Sequence, residues 1–232
     1  MLLAIVLALS LPGARAGAEV APAVLLADGS AVHLAGLAWP EDRPDVREAA
    51  GRAATAWADR GPFQAAVAQR DRYGRSFGQI EDGDGAWLQG ILLERGLALA
   101  RVEGESDARA LRLLEAEAKA RSARVGLWSG ERPPVETVAQ LEARRFAPGY
   151  RLVEGRVLAV AEQGGGVYLN FGEDWKSDVT FKLDRKVARV LERDGQKPAD
   201  LAGRMIRVRG WVYDANGPMI DVISRHQMEI LP

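Results

Sequence analysis

The second half of the chain consists of short β-prone runs that a single helical stretch interrupts. The five runs cover residues 153–161, 167–171, 179–183, 206–213 and 219–223. Glycine-rich turns at 164–166 and 216–218 separate neighbouring runs, and residues 184–193, between the third and fourth runs, have a helical pattern. Five strands with a helix after the third is the order of an OB-type barrel, an order that other small five-stranded barrels can also show.

The first half predicts strands mixed with more helix. A hairpin over 23–26 and 31–37 turns at Asp28-Gly29, because Asp-Gly between β-compatible runs is a strong turn signal. The other predicted elements are helix 46–59, strands 63–69 and 75–80, helix 87–95 and helix 107–124. Gly96 is expected to end the second of these helices. In the last helix, Leu111, Leu114, Ala118 and Arg121 are spaced for one face.

Composition limits the possible chemistry. The chain of 232 residues is 47% hydrophobic and 27% charged, which is typical of a folded globular protein. It has no cysteine, so disulfides, thiolate metal sites and cysteine nucleophiles are excluded. Its two histidines, His33 and His226, are far apart in sequence, which argues against a multi-histidine metal site. A net charge of −1 gives no support to electrostatic wrapping of a duplex.

The N-terminus has the pattern of a secretory signal. Residues 2–11 are apolar apart from Ser10, and Pro12-Gly13 ends the run. Small residues then stand where signal peptidase would cut, at Ala14 and Ala16 or at Ala16 and Ala18. The run is too short to span a bilayer, so we expect residues 1–18 to be a signal peptide, with no membrane span after its cleavage. A buried N-terminal helix is the alternative. Export would make the mature protein periplasmic or secreted.

Four segments of the first half resemble the thermonuclease, or staphylococcal-nuclease-like, family. They are Val32-His33-Leu34-Ala35-Gly36-Leu37-Ala38-Trp39-Pro40-Glu41, Asp71-Arg72-Tyr73-Gly74-Arg75, Leu92-Leu93-Glu94-Arg95-Gly96-Leu97-Ala98, and Glu117-Ala118-Lys119-Ala120 through Gly126-Leu127-Trp128. The segments stand in the family's order, on elements of the expected type. The resemblance implies an OB-type barrel packed with helices.

Together these observations predict a mainly β protein with helices, made of two OB-type five-stranded barrels in tandem. The thermonuclease-like barrel would cover residues 20–129, a linker would cover 130–149, and the second barrel would cover 150–232.

The resemblance places part of a catalytic site on this chain. The family consists of calcium-dependent phosphodiesterases, in which a glutamate activates water and two arginines with a cation stabilise the transition state. Glu41 falls on the catalytic glutamate and Arg75 on the second arginine. Arg72 and Tyr73 fall on positions that line the nucleotide pocket.

Other family positions hold residues that cannot do the family's chemistry. His33 stands at the first arginine, and a neutral imidazole cannot make a permanently charged, bidentate contact with phosphate. Pro22 and Ala38 stand at the two calcium carboxylates, and Trp39 follows Ala38. We therefore expect no cofactor, with calcium as the cofactor only if a working nuclease site exists.

Each candidate also has a structural interpretation. Glu41 can be a solvated loop charge, and Arg75 can brace the barrel through Asp71. His33 can be a polar residue at a strand edge. The group of Arg70, Arg72 and Arg75 can contact phosphate or line a solvated strand edge. Asp82-Gly83-Asp84-Gly85 imitates a calcium motif, but its place between a strand and a helix predicts a turn.

The second barrel offers a possible stacking surface for a single strand. Trp175 and Trp211, with Tyr168 and Phe171, could stack on bases, and Arg207 and Arg209 could bind phosphates. Alternation along the strand puts Arg207, Arg209 and Trp211 on one side. In the alternative, Trp211 and Phe171 belong to the core and the arginines form a solvated face.

Three functional hypotheses follow. The first is an exported thermonuclease-like protein with a degenerate site, which binds single-stranded nucleic acid or another phosphate-bearing ligand with little or no nuclease activity. The second is an active metal-dependent phosphodiesterase that acts on DNA or RNA through Glu41 and Arg75. The third is a structural or protein-interaction module.

Overall fold

The computed structural model describes residues 22–26, 28–130, 134–143, 148–174 and 177–232, and these residues divide into two compact units. The first unit contains the described residues up to 101 together with 108–130, and the second contains 102–107 and the described residues from 134 onward. The described chain is mainly β with helices, as predicted. None of the described helices is both long and apolar enough to cross a membrane.

The strands and helices of the first unit follow the predicted order. They are β1 Ala23–Leu25, β2 Ala31–Leu34, β3 Leu37–Ala38, α1 Pro44–Ala58, β4 Phe63–Arg70, β5 Ser76–Asp82, α2 Leu88–Glu94, β6 Leu99–Ala100 and α3 Asp107–Ala123. The predicted hairpin is confirmed, because β1 and β2 are antiparallel around a turn in which the Gly29 N–H donates to the Leu26 carbonyl. The turn after β5 is confirmed as well, and the Asp82 carboxylate accepts the N–H groups of Asp84 and Ala86.

The main sheet of the first unit has the order β1-β2-β5-β4, and a separate two-stranded sheet joins β3 to β6. The β1–β2 and β4–β5 pairs are antiparallel, whereas β2 and β5 are parallel. A parallel pair needs a long connection, and here that connection contains α1. The sequence of antiparallel, parallel and antiparallel pairs around a helix is that of strands two to five of an OB-type barrel.

The residues of α1 explain why this stretch forms a helix. Pro44 stands at its first turn, where a missing N–H costs nothing, and its body is rich in alanine. The residues that it buries, Val46, Ala50, Ala54 and Trp57, recur at helical spacing and form one stripe. The small alanines on this stripe allow α1 to lie close to its neighbours.

Helix α3 confirms the predicted element but not its predicted face. Leu111 is 56% exposed, whereas Leu113 is fully buried. The buried stripe also contains Ala110, Ala120 and the carboxylate of Glu117, which accepts the Ala100 N–H at 2.8 Å. The prediction followed the leucines, but the packed side of the helix consists mainly of alanines around one buried acid.

The second unit has ten of the described strands and α-helices. They are β7 Val135–Thr137, α4 Val138–Ala143, β8 Gly149–Arg156, β9 Ala159–Gln163, β10 Gly166–Asn170, β11 Thr180–Leu183, α5 Arg185–Arg193, β12 Met205–Asp214, β13 Pro218–Val222 and β14 Met228–Ile230. Their sheet has the order β7-β8-β12-β13-β11-β10-β9, with β14 also paired to β12.

The sequence predicted five strands here, whereas this sheet has eight, because β7 and β14 join it and the run predicted at 153–161 falls partly in β8 and partly in β9. The β11–β13 pair is parallel, and α5 lies in the connection between its two strands. The pairs β9–β10, β10–β11, β12–β13 and β8–β12 are antiparallel. Strands β8 and β9 are separated only by residues 157–158, so they act as one bent strand that pairs with β12 at one end and β10 at the other. Phe181, Ile206, Val208 and Ile220 are fully buried in the core that this sheet encloses.

Two segments belong to the second unit although the sequence places them elsewhere. The stretch predicted as a linker, 130–149, contains β7 and α4, and β7 pairs in parallel with β8. Residues 102–107, which the sequence assigns to the first barrel, also belong to this unit. The Glu103 carboxylate accepts the Tyr150 hydroxyl at 3.3 Å and the Gln227 amide at 3.2 Å.

Candidate functional site

The turn between β4 and β5 is organised by Asp71. One carboxylate oxygen accepts the N–H groups of Tyr73 and Arg75, both at 2.9 Å, and the other accepts Arg75 Nε at 2.6 Å. Burial raises the pKa of Asp71, but these hydrogen bonds outweigh that effect, so its pKa lies below the ordinary value. The interpretation that Arg75 braces the barrel through Asp71 therefore describes a real contact.

Arg75 still presents part of its guanidinium outward. Only Nε contacts Asp71, and within the described part of the chain the two terminal nitrogens donate no hydrogen bond. The Arg75 side chain is 31% exposed. A guanidinium anchored through Nε keeps its terminal nitrogens directed for a bidentate contact with an anion.

Aromatic rings extend from this arginine in both directions. The Arg75 guanidinium lies 5.4 Å from the Tyr73 ring and 6.0 Å from the Phe77 ring, and the Arg72 guanidinium lies 4.9 Å from the Tyr73 ring. The Phe77 ring stacks on His33 at 5.1 Å. We call Arg72, Tyr73, Arg75, Phe77 and His33 the arginine–aromatic row. It brings together four of the predicted site residues.

His33 occupies the buried end of this row. It lies on β2, between Ala23 of β1 and Phe77 of β5 in the strand register, and is 8% exposed. Tyr73, at the opposite end, is 67% exposed. The imidazole is thus part of the packed sheet rather than of an exposed strand edge.

Glu41 is not part of the row. It lies in an exposed turn between β3 and α1, where the Arg43 N–H donates to the Pro40 carbonyl. Its carboxylate makes no hydrogen bond or ion pair with any residue that the structure describes. The geometry of Glu41 is that of a solvated loop charge.

One family model matches part of the chain. Residues 31–130 match the family model described as staphylococcal nuclease homologue, which covers β2 through the end of α3 and the turn beyond it. This matched stretch, called the nuclease homologue domain below, is similar to staphylococcal nuclease homologues. The match includes the arginine–aromatic row and Glu41 and covers fewer than half of the chain's residues. No curated protein matches the chain.

The residues that the sequence resemblance places at the two calcium positions, Pro22 and Ala38, offer no side-chain oxygen to a metal. Ala38 is fully buried in β3, opposite Leu99 of β6, and Trp39 is 1% exposed with its indole N–H bonded to the Leu97 carbonyl at 2.7 Å. Pro22 has no side-chain oxygen, and its carbonyl accepts the Leu34 N–H. These residues form core, and calcium prefers carboxylate and carbonyl oxygens that are free to bind it. The residues at these positions do not fit the metal.

Other carboxylates do not assemble a replacement. Among the described residues, no group of three His, Asp or Glu side chains is placed to hold a metal ion. We therefore derive no step of a reaction through calcium in the nuclease homologue domain.

The arginines predicted to bind ligand in the second unit are engaged by carboxylates. Arg207 contacts Glu154 at 2.8 Å and Glu229 at 3.3 Å, and Arg209, which is 2% exposed, contacts Glu229 at 3.4 Å. These carboxylates come from neighbouring strands of the sheet. The contacts give both arginines a structural role in binding β12 to its neighbours.

The aromatic residues that were proposed to lie beside Arg207 and Arg209 do not lie together. Phe171 packs on Phe181 of the core with ring centroids 4.5 Å apart, as the structural alternative expects. Trp211 is half-buried and lies opposite Tyr150 in the β8–β12 register. Trp175 lies outside the described residues. These residues do not form the single stacking surface that the sequence suggested.

Sequence reasoning missed three features. Phe77 lies between His33 and Arg75. The sequence signal for this contact was side-chain alternation, which places residues 75 and 77 on the same side of the chain where β5 begins. The outer face of the second sheet has Lys182 and Tyr213 around Asp221, and burial, followed by the bond to Asp221, raises the pKa of Tyr213 to about 12. Helix α5 repeats arginine every fourth residue.

Proposed function

We propose that this protein is an exported nuclease homologue that binds a phosphate-bearing ligand, with single-stranded nucleic acid as the favoured class, and has little or no nuclease activity. The observation that carries the proposal is the pair Ala38 and Trp39, buried where the family's calcium loop would be. Neither the Ala38 methyl group nor the Trp39 indole, whose N–H is bonded to the Leu97 carbonyl, offers an oxygen to a metal ion.

The arginine–aromatic row supports binding. Arg72 and Arg75 provide two guanidinium groups within 5.4 Å of the exposed Tyr73 ring. A ring with cations beside it suits a nucleotide, because the base can stack while phosphates meet the arginines. His33, stacked on Phe77, would contribute packing rather than a second charged clamp.

The alternative is a metal-dependent phosphodiesterase that works through Glu41 and Arg75. The exposed carboxylate of Glu41 and the outward terminal nitrogens of Arg75 keep this hypothesis testable. Loss of one preorganised transition-state donor costs roughly a hundredfold to a thousandfold in rate. With the first arginine and both calcium carboxylates replaced, we expect no hydrolysis above background.

The decisive experiment combines cleavage with binding. Plasmid and single-stranded DNA are incubated with the mature protein in calcium, magnesium or manganese, and Glu41→Gln and Arg75→Ala are assayed in parallel. Cleavage by the unsubstituted protein that both substitutions abolish would overturn the binding-module proposal in favour of the enzyme.

Binding is measured with a fluorescent oligothymidylate at several salt concentrations. Arg72→Gln with Arg75→Gln should weaken it by about tenfold, and the slope of log affinity against log salt should fall by about 1.4, because each single-strand phosphate contact contributes about 0.7. Arg47→Gln with Arg60→Gln, which removes two exposed arginines outside the row, is the matched control. Absence of any salt-dependent binding would leave a structural or protein-interaction module as the better hypothesis.

A further inference from the structure

Helix α5 of the second unit has one face in the core and the opposite face in solvent. Val187, Ala188 and Leu191 are buried in the core. Arg185, Lys186, Arg189 and Arg193 are all exposed. At 100° per residue these four basic residues occupy one contiguous arc of the helix, opposite the buried stripe.

The three arginines form a regular row within this arc. Arg185, Arg189 and Arg193 are four residues apart, so each lies about 6 Å further along the helix axis than the one before. We call these three residues the α5 arginine row. A single small anion would use one or two of these positions, whereas a row suits a partner in which negative charge repeats.

The cations of this face have no carboxylate partners. Among the described residues, neither the α5 arginine row nor Lys186 forms an ion pair, and the only bond from these side chains is Arg185 Nε to the Gly165 carbonyl at 2.9 Å. Arg207 and Arg209 of the same unit, in contrast, are bonded to Glu154 and Glu229.

The nearby carboxylates do not neutralise the positive charge of the α5 arginine row. Asp184 caps the helix, and its carboxylate accepts the Lys186 N–H at 2.8 Å. Glu192 lies at the edge of the basic arc, beside Ala188, and Asp194 follows the last arginine at the helix C-terminus. The centre of the arc is therefore cationic, with carboxylates only at its margins.

A cleft of about 440 Å³ runs beside the row. Arg185, Arg189 and Glu192 line it from the helix, and the glycine turn between β9 and β10 lines it together with Glu162, so two arginines and two carboxylates border the cleft. Gly165 has a φ of +83°, and a Cβ there would fall on the Arg185 guanidinium. Glycine at 165 thus permits the contact that fixes the first arginine of the row at the mouth of the cleft.

We infer that the α5 arginine row is a second phosphate-binding surface, which binds the sugar–phosphate backbone of a single-stranded nucleic acid. The face is positive, as nucleic-acid interfaces are, and the hollow on it is lined by Lys186, Arg189, Val190, Glu192 and Arg193, without the aromatic residues typical of protein interfaces. Membrane insertion does not fit, because the apolar side of α5 is already in the core. This site is separate from the arginine–aromatic row of the first unit and does not depend on it.

The test uses the full mature chain and a fluorescent oligothymidylate titrated from about 50 to about 200 mM salt. Arg185→Gln with Arg189→Gln and Arg193→Gln should lower affinity by about tenfold or more and reduce the log–log salt slope by about 2, from three lost contacts at about 0.7 each. A second variant, Arg189→Gln with Arg193→Gln, keeps the Arg185–Gly165 bond and should reduce the slope by about 1.4.

The control is Arg47→Gln with Arg60→Gln and Arg124→Gln, three exposed arginines of the first unit, which should leave the slope unchanged. An unchanged affinity and slope in both α5 variants, with folding intact by thermal melting, would overturn the inference. Loss of binding to anionic phosphatidylglycerol vesicles, without loss of oligothymidylate binding, would also overturn it in favour of a lipid surface. The variant Arg72→Gln with Arg75→Gln removes only arginines of the first unit. A negative result for the arginine–aromatic row can therefore be told apart from a negative result for the α5 arginine row.

Discussion

Asp71 determines how Arg75 can act. Its carboxylate accepts two backbone N–H groups and Arg75 Nε, so the turn and the guanidinium are positioned by the same side chain. A structural brace and a ligand contact are therefore compatible at this arginine, because bracing uses Nε and binding would use the terminal nitrogens.

The Asp71 interaction predicts a pH dependence of stability. Because its folded-state pKa lies below the ordinary Asp value of about 3.9, Asp71 stabilises the fold above that pH, and the contribution is lost as pH falls through the folded pKa. Asp71→Asn should therefore lower the thermal midpoint modestly at neutral pH and converge with the unsubstituted protein in acid. Asp59→Asn, which removes an exposed carboxylate without a hydrogen-bond partner among the described residues, should show no such convergence. A constant offset at all pH values would contradict the assignment.

At the scale of single residues, only part of the candidate site could be predicted from the sequence. Asp71 and Arg75 are four residues apart around Gly74, so their pairing is visible in the sequence. The partners of Arg207 are not, because Glu154 is 53 residues away and is brought near only by the β8–β12 register. Phe77 was missed because an aromatic residue on a strand usually belongs to the core, and only the sheet shows that it bridges two site residues.

Among the elements, periodicity located the helices better than it located their faces. Helix α3 was predicted within one residue, yet its leucines misled the assignment of its packed side. Alanine has little hydrophobic contrast with its neighbours, so a stripe of Ala110, Ala116 and Ala120 gives a weak signal. Their small volume matters only when the neighbouring elements are known.

The end of α2 gives a sharp test of element geometry. Gly96 has a φ of +63°, and a Cβ there would lie 2.2 Å from the Val125 carbonyl oxygen, which is backbone and cannot move aside easily. Gly96→Ala should destabilise the protein by more than the roughly 1–2 kcal/mol of left-handed strain alone.

Gly51 is the matched control for that substitution. It lies inside α1, where an added Cβ meets nothing within 4 Å. Gly51→Ala should stabilise the protein by roughly 0.5–1 kcal/mol, because alanine is the better helix former. Thermal melts of both variants check the pair, and equal effects on the midpoint would show that the Gly96 contact is not as described.

On the scale of the whole molecule, the two units share one pairing scheme. In each, antiparallel pairs flank a parallel pair, β2–β5 or β11–β13, and a helix lies in the connection. The order of β-runs and helix predicted this scheme for the second unit, while the family resemblance predicted it for the first. The placement of residues 102–107 was not predictable, because it depends on contacts with residues far along the chain.

The proposed export is testable independently of ligand binding. Residues 1–18, which lie outside the described part of the chain, should direct a fused reporter enzyme out of the cytoplasm. Leu7→Arg, which breaks the apolar run, should abolish this transport. N-terminal sequencing of the exported native protein should begin at Gly17 or Glu19, and a product that begins at Met1 would contradict the signal-peptide proposal.

The bond between Glu103 and Gln227 joins residues 124 positions apart. During translation, Glu103 leaves the ribosome long before its partner is synthesised, so this contact of the second unit cannot form on the nascent chain until Gln227 has been added and has left the ribosome. Loop-closure entropy grows only with the logarithm of length, so the separation costs little in equilibrium stability. It costs more in time, because contacts between distant residues slow folding. The second unit is therefore expected to complete its fold late, after the segment that contains Gln227 has been synthesised.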